Sequence, residues 1–402
     1  MVPAAECEIT RFNRGRVSFM NVVGLAAIQE IYAKTLARPV HQKGELLSVQ
    51  RLRGVAVLMM LFVHMEDVSH FFVGSSRSSS FYATRLGYSA ADLFFVISGF
   101  IMAYITFTRP FDARSWAISR FIRIYPMYIM FSLIVVALWL FDPRMTMGSG
   151  PQTWGSIAIS LLGVPQAGLP LLFVGWTVEH EILYYTIVFF TSFFLGRERL
   201  VIVMVALSAL AVGRWLLRVG TGVEIWDFHI ASPYMLQFTM GVLIYRWWDS
   251  LVLLGWRLPL AIAPFFLLAG MAFTESGGIN HEPMARITLF GVGYSCVLLC
   301  VLNWERQQQA AGRVQPSRDV LVWMGDASYS LYLSHAFVLG TFGKIFPWVG
   351  TSFLAQALAI LGASTTVLIV GLLTHIFIER RVMEIGRVLS KPKPKSVVIS
   401  SV

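Results

Sequence analysis

Apolar residues recur in blocks about as long as a bilayer crossing, separated by short polar or basic segments. The blocks fall near 54–72, 92–107, 124–141, 177–195, 200–217, 232–246, 258–274, 286–303, 329–349 and 353–377. Only helices satisfy every backbone group inside a single apolar segment. The pattern therefore predicts an all-α polytopic transmembrane helical bundle of about ten spans. A further apolar stretch, Ile157–Val174, carries Pro165, Gly168 and Pro170. It is expected to form a re-entrant or interfacial segment of the 142–175 loop rather than an eleventh helix. No internal repeat is visible, which weighs against an inverted-repeat transporter.

Charge orients this arrangement. With the N-terminus inside, the outer segments hold only Arg77, Arg85, Arg144, Arg214, Arg218, Arg286 and Lys344 of the 32 Lys and Arg residues. That bias predicts cytoplasmic N and C termini, because an odd number of spans puts the basic C-terminal segment outside. The net charge of +10 sits mostly between apolar blocks, not on a polar face with a basic stripe, so a nucleic-acid partner is not expected. With 56% hydrophobic and 13% charged residues and a mean hydropathy of +0.67, a soluble domain is excluded. Cys296 and Cys300 lie on one predicted helix, so neither a disulfide framework nor a metal site is expected.

Three regions follow: a cytoplasmic N-terminal extension (1–45), a membrane domain (46–385) and a basic cytoplasmic tail (386–402). No cleavable signal peptide is evident; Met20–Ala33 suits an interfacial amphipathic helix or an extension upstream of the true start. The tail from Lys391 is expected to lie close to anionic headgroups of membrane lipids.

Ionisable residues inside spans are costly and mark function more often than packing. Arg53 and His64 are eleven residues apart, which brings both to one helix face and separates them by about 16 Å along its axis. A histidine near the midplane can take and give a proton near neutral pH. The plainer readings are a hydrogen-bonded histidine and a boundary arginine. Glu66, Asp67 and His70 suggest a polar outer mouth. Asp92, just inside a boundary, either caps its helix or pairs with a cation across the bundle. Arg120 and Arg123 share a face and suit either a phosphorylated cofactor from the cytoplasm or ordinary positive-inside topology.

Trp176-Thr177-Val178-Glu179-His180-Glu181-Ile182-Leu183-Tyr184-Tyr185 opens the fourth span from the outside. Its Trp and two Tyr suit the interface, whereas two carboxylates flanking a histidine do not suit a purely structural helix. Glu181 is expected about 7 Å inside that outer boundary, at a depth comparable with His64. His335 is a second intramembrane histidine, read first as a buried, hydrogen-bonded one.

These segments, in this order, resemble the acyltransferase-3 family of bacterial membrane O-acyltransferases. The resemblance rests on Arg53 and His64 in Arg-x10-His, Asp-Leu-Phe-Phe-Val-x-Ser-Gly-Phe at 92–100, Arg-Ile-Tyr-Pro at 123–126 and Trp-Thr-x-Glu-x-Glu at 176–181. It continues in Ser-Tyr-Ser-Leu-Tyr-Leu-x-His at 328–335 and a terminal Glu379-Arg380. It covers about Leu46 to Glu384 and is strongest toward exopolysaccharide acetyltransferases, through Ser48–Arg53, Val174–Thr177 and Gly325–Ser330. The chain departs from some members in lacking an appended esterase-like domain, and His180 between Glu179 and Glu181 leaves open which of the three handles a proton.

The resemblance implies a bacterial inner-membrane enzyme that moves an acetyl group from acetyl-CoA to a sugar hydroxyl of a cell-surface polysaccharide or its lipid-linked precursor, alongside polysaccharide assembly machinery. The residues agree with this. Arg53, Arg120 and Arg123 can hold the CoA phosphates, and His64 can act as base. Glu181, with Glu179 in reserve, can orient the sugar or hold His64 in its useful tautomer. Asp92, Trp176, His180 and His335 are supporting candidates. Neither a metal nor a covalent serine intermediate is expected, and an acyl relay stays open. A transporter or flippase for a glycolipid or polysaccharide precursor is the other reading, and a non-catalytic scaffold of an export complex a third.

Overall fold

A helix stands at every predicted span. The computed structural model describes residues 46–68, 86–143, 152–166, 168–220, 222–274, 284–313, 319–345 and 353–390. The N-terminal extension, His70 and the tail from Lys391 lie outside the described residues, as do the side chains of Glu66 and Asp67.

The described chain is all-helical, with helices α1 (Leu47–Val68), α2 (Ala90–Thr108), α3 (Ala113–Phe141), α4 (Trp154–Leu161), α5 (Trp176–Phe190), α6 (Leu200–Leu217) and α7 (Glu224–Phe228). It continues with α8 (Tyr234–Leu251), α9 (Arg257–Ala272), α10 (Met284–Ala310), α11 (Val320–Asp326), α12 (Ser328–Ile345), α13 (Phe353–Thr374) and α14 (Arg380–Leu389). Among the described residues, six runs are long and apolar enough to cross a membrane: Leu47–His64, Leu86–Thr108, Ala113–Phe141, Phe173–Leu217, Met284–Ala310 and Ala357–Leu389. A seventh counts the pair Tyr234–Leu254 and Arg257–Ala272, bent by 116° at its break, as one span. Large apolar side chains on α6, α9 and α13 point outward, among them Ile202, Phe265, Leu354 and Leu361. Such faces are stable against lipid and unstable against water, and the chain is a multi-pass membrane protein.

The Ile157–Val174 segment makes no long helix. Thr153 and Ser156 form a capping box that starts α4, whose eight residues are too few to span the bilayer. The chain then turns at Leu162–Gly163 and buries Leu171 and Leu172 before entering α5.

Two helix pairs approach closely enough to require glycine. A Cβ on Gly54 of α1 would run into the Leu321 carbonyl of α11, and one on Gly325 into the Gln50 carbonyl. Gly99 of α2 meets the Phe238 carbonyl of α8 in the same way. These contacts lock the helices that carry Arg53 and Asp92.

Candidate active site

The N-terminus of α1 is held by a carboxylate from another helix. Glu305 of α10 accepts the backbone N–H of Leu47 at 3.0 Å and of Ser48 at 3.1 Å, satisfying donors that a helix start leaves open. Arg51 adds an ion pair to Asp319 at 2.8 Å, just before α11. With α1 pinned, its polar face meets α12 at two depths. Arg53 donates to Ser328 Oγ at 2.7 Å and to Gln50 Oε1 at 3.2 Å. Farther along, the rings of His64 and His335 lie 4.9 Å apart, tilted by 35°. Phe173 packs edge-on against His64 at 6.0 Å. His335 is fully buried; its Nδ1 sits 2.5 Å from the Tyr332 carbonyl, and its Nε2 has no hydrogen-bond partner.

A second cluster gathers at the Arg53 end. Arg123 donates to Glu379 Oε1 at 2.6 Å, and Glu379 also accepts from Ser330 at 2.7 Å and faces His375 Nδ1 at 2.8 Å. Arg120 lies over the Tyr185 ring at 5.9 Å, and the Tyr185 hydroxyl donates to Glu181 Oε1 at 2.5 Å. Ser98 reaches the same oxygen at 3.5 Å. The charges of Arg53, Arg120 and Arg123 all act on Glu181. Trp116, one turn before Arg120, packs edge-on against Tyr185 at 6.2 Å, and its buried Nε1–H has no acceptor. Three guanidinium groups with an unmatched N–H donor beside them suit a phosphate-bearing group.

Glu181 therefore sits elsewhere than its sequence position suggested. The expectation placed it about 7 Å inside the outer boundary, near the depth of His64; the structure places it among the arginines. The physical reason is the segment before it. Thr177 donates to the Tyr332 hydroxyl at 2.7 Å, and Tyr332 is only four residues past Ser328, the partner of Arg53. So α5 starts inside the bundle, at the depth of Tyr332, and runs toward the arginine end. The aromatic residues at its start follow suit. Tyr184 and Tyr185 are buried instead of lying in an interfacial belt, and Tyr184 donates to the Gly99 carbonyl at 3.2 Å. Trp176 packs against Tyr234 at 5.5 Å and Phe95 at 6.1 Å.

Glu179 and His180 are turned away from this cluster into a packed pocket of their own. Glu179 accepts from Gln166 at 2.9 Å and meets His229 Nε2 at 3.1 Å. Both ring nitrogens of His180 face backbone carbonyls, Trp176 at 2.9 Å and Phe228 at 2.8 Å, and its ring stacks on His229 at 4.8 Å. This pocket ties the loop before α5 and the residues after α7 to the start of α5. Of the two readings of Asp92, cross-bundle pairing is the one observed. Arg286 of α10 donates to both of its carboxylate oxygens, at 3.3 and 3.1 Å, and Gln237 to one at 2.5 Å.

Reading the sequence missed Trp116, His229, the role of Glu379 as counter-ion to Arg123, and the pairing of the two intramembrane histidines. For His335 a signal existed, namely a second histidine inside a span. His229 and Trp116 gave none, because each sits at an ordinary loop or boundary position.

The model of the acyltransferase-3 family, described as an acyltransferase domain, matches residues 46–375. The exopolysaccharide production protein ExoZ of Rhizobium meliloti (strain 1021) is 28% identical over 337 residues, covering 82% of this chain and 96% of ExoZ. The acyltransferase MdmB of Streptomyces mycarofaciens is 26% identical over 386 residues, covering 86% of this chain and 93% of MdmB. No solved structure matches the chain. A family match over this much of the sequence, on a helical membrane bundle, means that the chain belongs to the acyltransferase-3 family and is a membrane O-acyltransferase.

Proposed function

We propose that this enzyme transfers an acetyl group from acetyl-CoA to a hydroxyl of a cell-surface polysaccharide, or of its lipid-linked precursor, at the bacterial inner membrane. The observation that carries this reading is the meeting of α1 with α12 at two depths. Arg53, with Arg120, Arg123 and Trp116 nearby, can receive the CoA phosphates, and His64 stands about 16 Å farther along the same face. The pantetheine arm bridges that separation and brings the thioester toward the histidine. His64 takes the proton of the acceptor hydroxyl as its oxygen bonds to the thioester carbonyl carbon. The C–S bond breaks, and the departing CoA thiolate takes that proton. Glu181 holds Tyr185 and balances the arginine charges, keeping them in place between turnovers. A relative whose name places it in exopolysaccharide production, matched over nearly its whole length, supports a polysaccharide acceptor.

The same reading uses ten crossings with both termini cytoplasmic. The 45-residue run Phe173–Leu217 is long enough for two spans, and it is interrupted at Thr191–Gly196 by a wider, π-type turn. The 116° bend between α8 and α9 reverses the chain as a hairpin does. Helix α12 is as long as a span but is made polar by Ser328, Ser330, Ser334 and His335, and Ser328, Ser330 and His335 contact Arg53, Glu379 and His64. Arginines at the cytoplasmic end then meet a donor made in the cytoplasm.

Complementation tests the reading. Wild type and His64→Ala are expressed at equal membrane levels in a strain lacking this protein, and O-acetyl groups on the surface polysaccharide are measured. Wild type is expected to restore acetylation and His64→Ala to fail. Acetylation that survives the substitution removes His64 from the mechanism. A wild type without effect on acetylation removes the polysaccharide acceptor.

A further inference from the structure

The nitrogen most in need of explanation is Nε2 of His335. It is buried, it has no hydrogen-bond partner, and the nearest ring to it on α1 belongs to His64, 4.9 Å away between centroids. A buried polar atom without a partner is costly, so a protein keeps one where another state of the molecule supplies the partner. Nδ1 faces the Tyr332 carbonyl at 2.5 Å, which can only accept. The proton is thereby held on Nδ1, and Nε2 is left as a bare lone pair. The Tyr332 side chain is itself held, donating to the Val174 carbonyl at 2.7 Å and accepting from Thr177 at 2.7 Å, so the ring of His335 has a fixed base.

His335 is fully buried and His64 only partly so, which makes His64 the ring that a substrate can reach. Glu181, the group first considered for orienting His64, is already engaged by Tyr185, Ser98 and the arginine charges. Phe173 and His335 both pack against His64, and of these two only His335 carries a nitrogen that can accept a proton.

We infer that His335 is a positioning residue for the acyl transfer: its Nε2 accepts an N–H of His64 and stabilises the imidazolium that forms when His64 takes the proton of the acceptor hydroxyl. The inference rests on the reading of His64 as base. The step balances without an added reactant. The hydroxyl O–H bond breaks and its proton goes to His64, while the oxygen forms the ester bond and the C–S bond breaks. The proton is shared across the two rings until the CoA thiolate takes it, leaving both imidazoles neutral. An aspartate in this place would leave a buried negative charge beside His64 between turnovers. A neutral imidazole whose other nitrogen is committed provides the lone pair without that charge.

Two side chains of similar polarity separate this role from packing. In His335→Asn the amide reaches the position of Nδ1 and can still donate to the Tyr332 carbonyl, but nothing stands where Nε2 was. In His335→Gln the amide oxygen reaches the position of Nε2 and can accept from His64. The full-length variants are purified in nanodiscs and given acetyl-CoA, with unacetylated polysaccharide from the deletion strain as acceptor, and initial rates of CoA release are followed. His335→Gln is expected to keep a kcat at least about tenfold above that of His335→Asn, with the KM for acetyl-CoA and the melting temperature the same in both. Equal rates in the two variants overturn the inference while leaving the base assignment standing. A fall in melting temperature that tracks the loss of rate assigns His335 to packing and also overturns it. If wild type transfers no acetyl group, the proposed reaction itself falls and this inference with it.

Discussion

Arg120 and Arg123 are one helical turn apart but differ in what already holds them. Arg123 is paired with Glu379, which is 1% exposed and draws further contacts from Ser330 and His375. Much of its charge is spent inside the protein. Arg120 has a ring face, a methionine sulfur at 3.9 Å and the more distant Glu181 carboxylate, so its guanidinium retains donors for a ligand. Replacing each by alanine is expected to have opposite signatures. Arg120→Ala weakens acetyl-CoA binding about tenfold to a hundredfold, the value of a charge-assisted hydrogen bond, and barely moves the melting temperature. Arg123→Ala strands a buried carboxylate and costs about 3 kcal/mol or more, seen as a clear drop in melting temperature. Calorimetric titration and thermal unfolding of the purified variants measure both quantities. If Arg123→Ala melts like wild type while losing acetyl-CoA, the division of labour is the reverse.

At the scale of elements, the site depends on how closely α1 lies against α11. Leu321 and Gln50 present backbone carbonyls to Gly54 and Gly325, and backbone cannot rotate aside as a side chain can. A methyl group at either position forces the helices apart and moves Arg53 relative to Ser328. Gly54→Ala is expected to destabilise the protein by about 1–3 kcal/mol and to lower acyl transfer with it. Gly213→Ala on α6, where an added Cβ meets nothing within 4 Å, is the matched control and is expected to keep activity and to stabilise by up to about 1 kcal/mol. A Gly54→Ala enzyme as stable and active as the control contradicts the close approach. Elements also mark where reading the sequence succeeded and where it stopped. The shared face of Arg53 and His64 was legible because helical periodicity alone decides it, and both residues do meet α12. The depth of Glu181 was not, because it depends on where α5 begins, which is set by the packing of the 152–175 segment and not by hydropathy. The ion pair of Asp92 with Arg286 and the contact of His64 with His335 join helices far apart in sequence, and no local pattern encodes such a match.

For the whole molecule, the number of crossings links the site to its substrates. Among the described residues, length and hydropathy give six spans, or seven with the bent pair; the ten crossings proposed above count the 45-residue run and the bent pair as two each and add α12. The polar residues of α12 are those that meet the site: Ser328 holds Arg53, Ser330 holds Glu379, and His335 meets His64. A span that lines a site is less apolar than one that faces lipid, so a hydropathy threshold removes the helix on which function depends. Ten crossings place both ends of the chain and the arginine cluster on the cytoplasmic side, with the end of α3 outside. Fusions to a fluorescent protein and to a periplasm-activated phosphatase distinguish this from an odd count. At the C-terminus the fluorescent fusion is expected to be bright and the phosphatase inactive; after Pro143, just past α3, the pattern is expected to invert. Phosphatase activity at the C-terminus with a bright fluorescent fusion after Pro143 instead puts the C-terminus outside, which with a cytoplasmic N-terminus means an odd total of crossings. The arginines of α14 then lie outside, and because Ser390 accepts from Ser115 near the start of α3 at 2.7 Å, that end of the site goes with them. The donor would have to be presented from the outer face, and cytoplasmic acetyl-CoA would no longer fit the site.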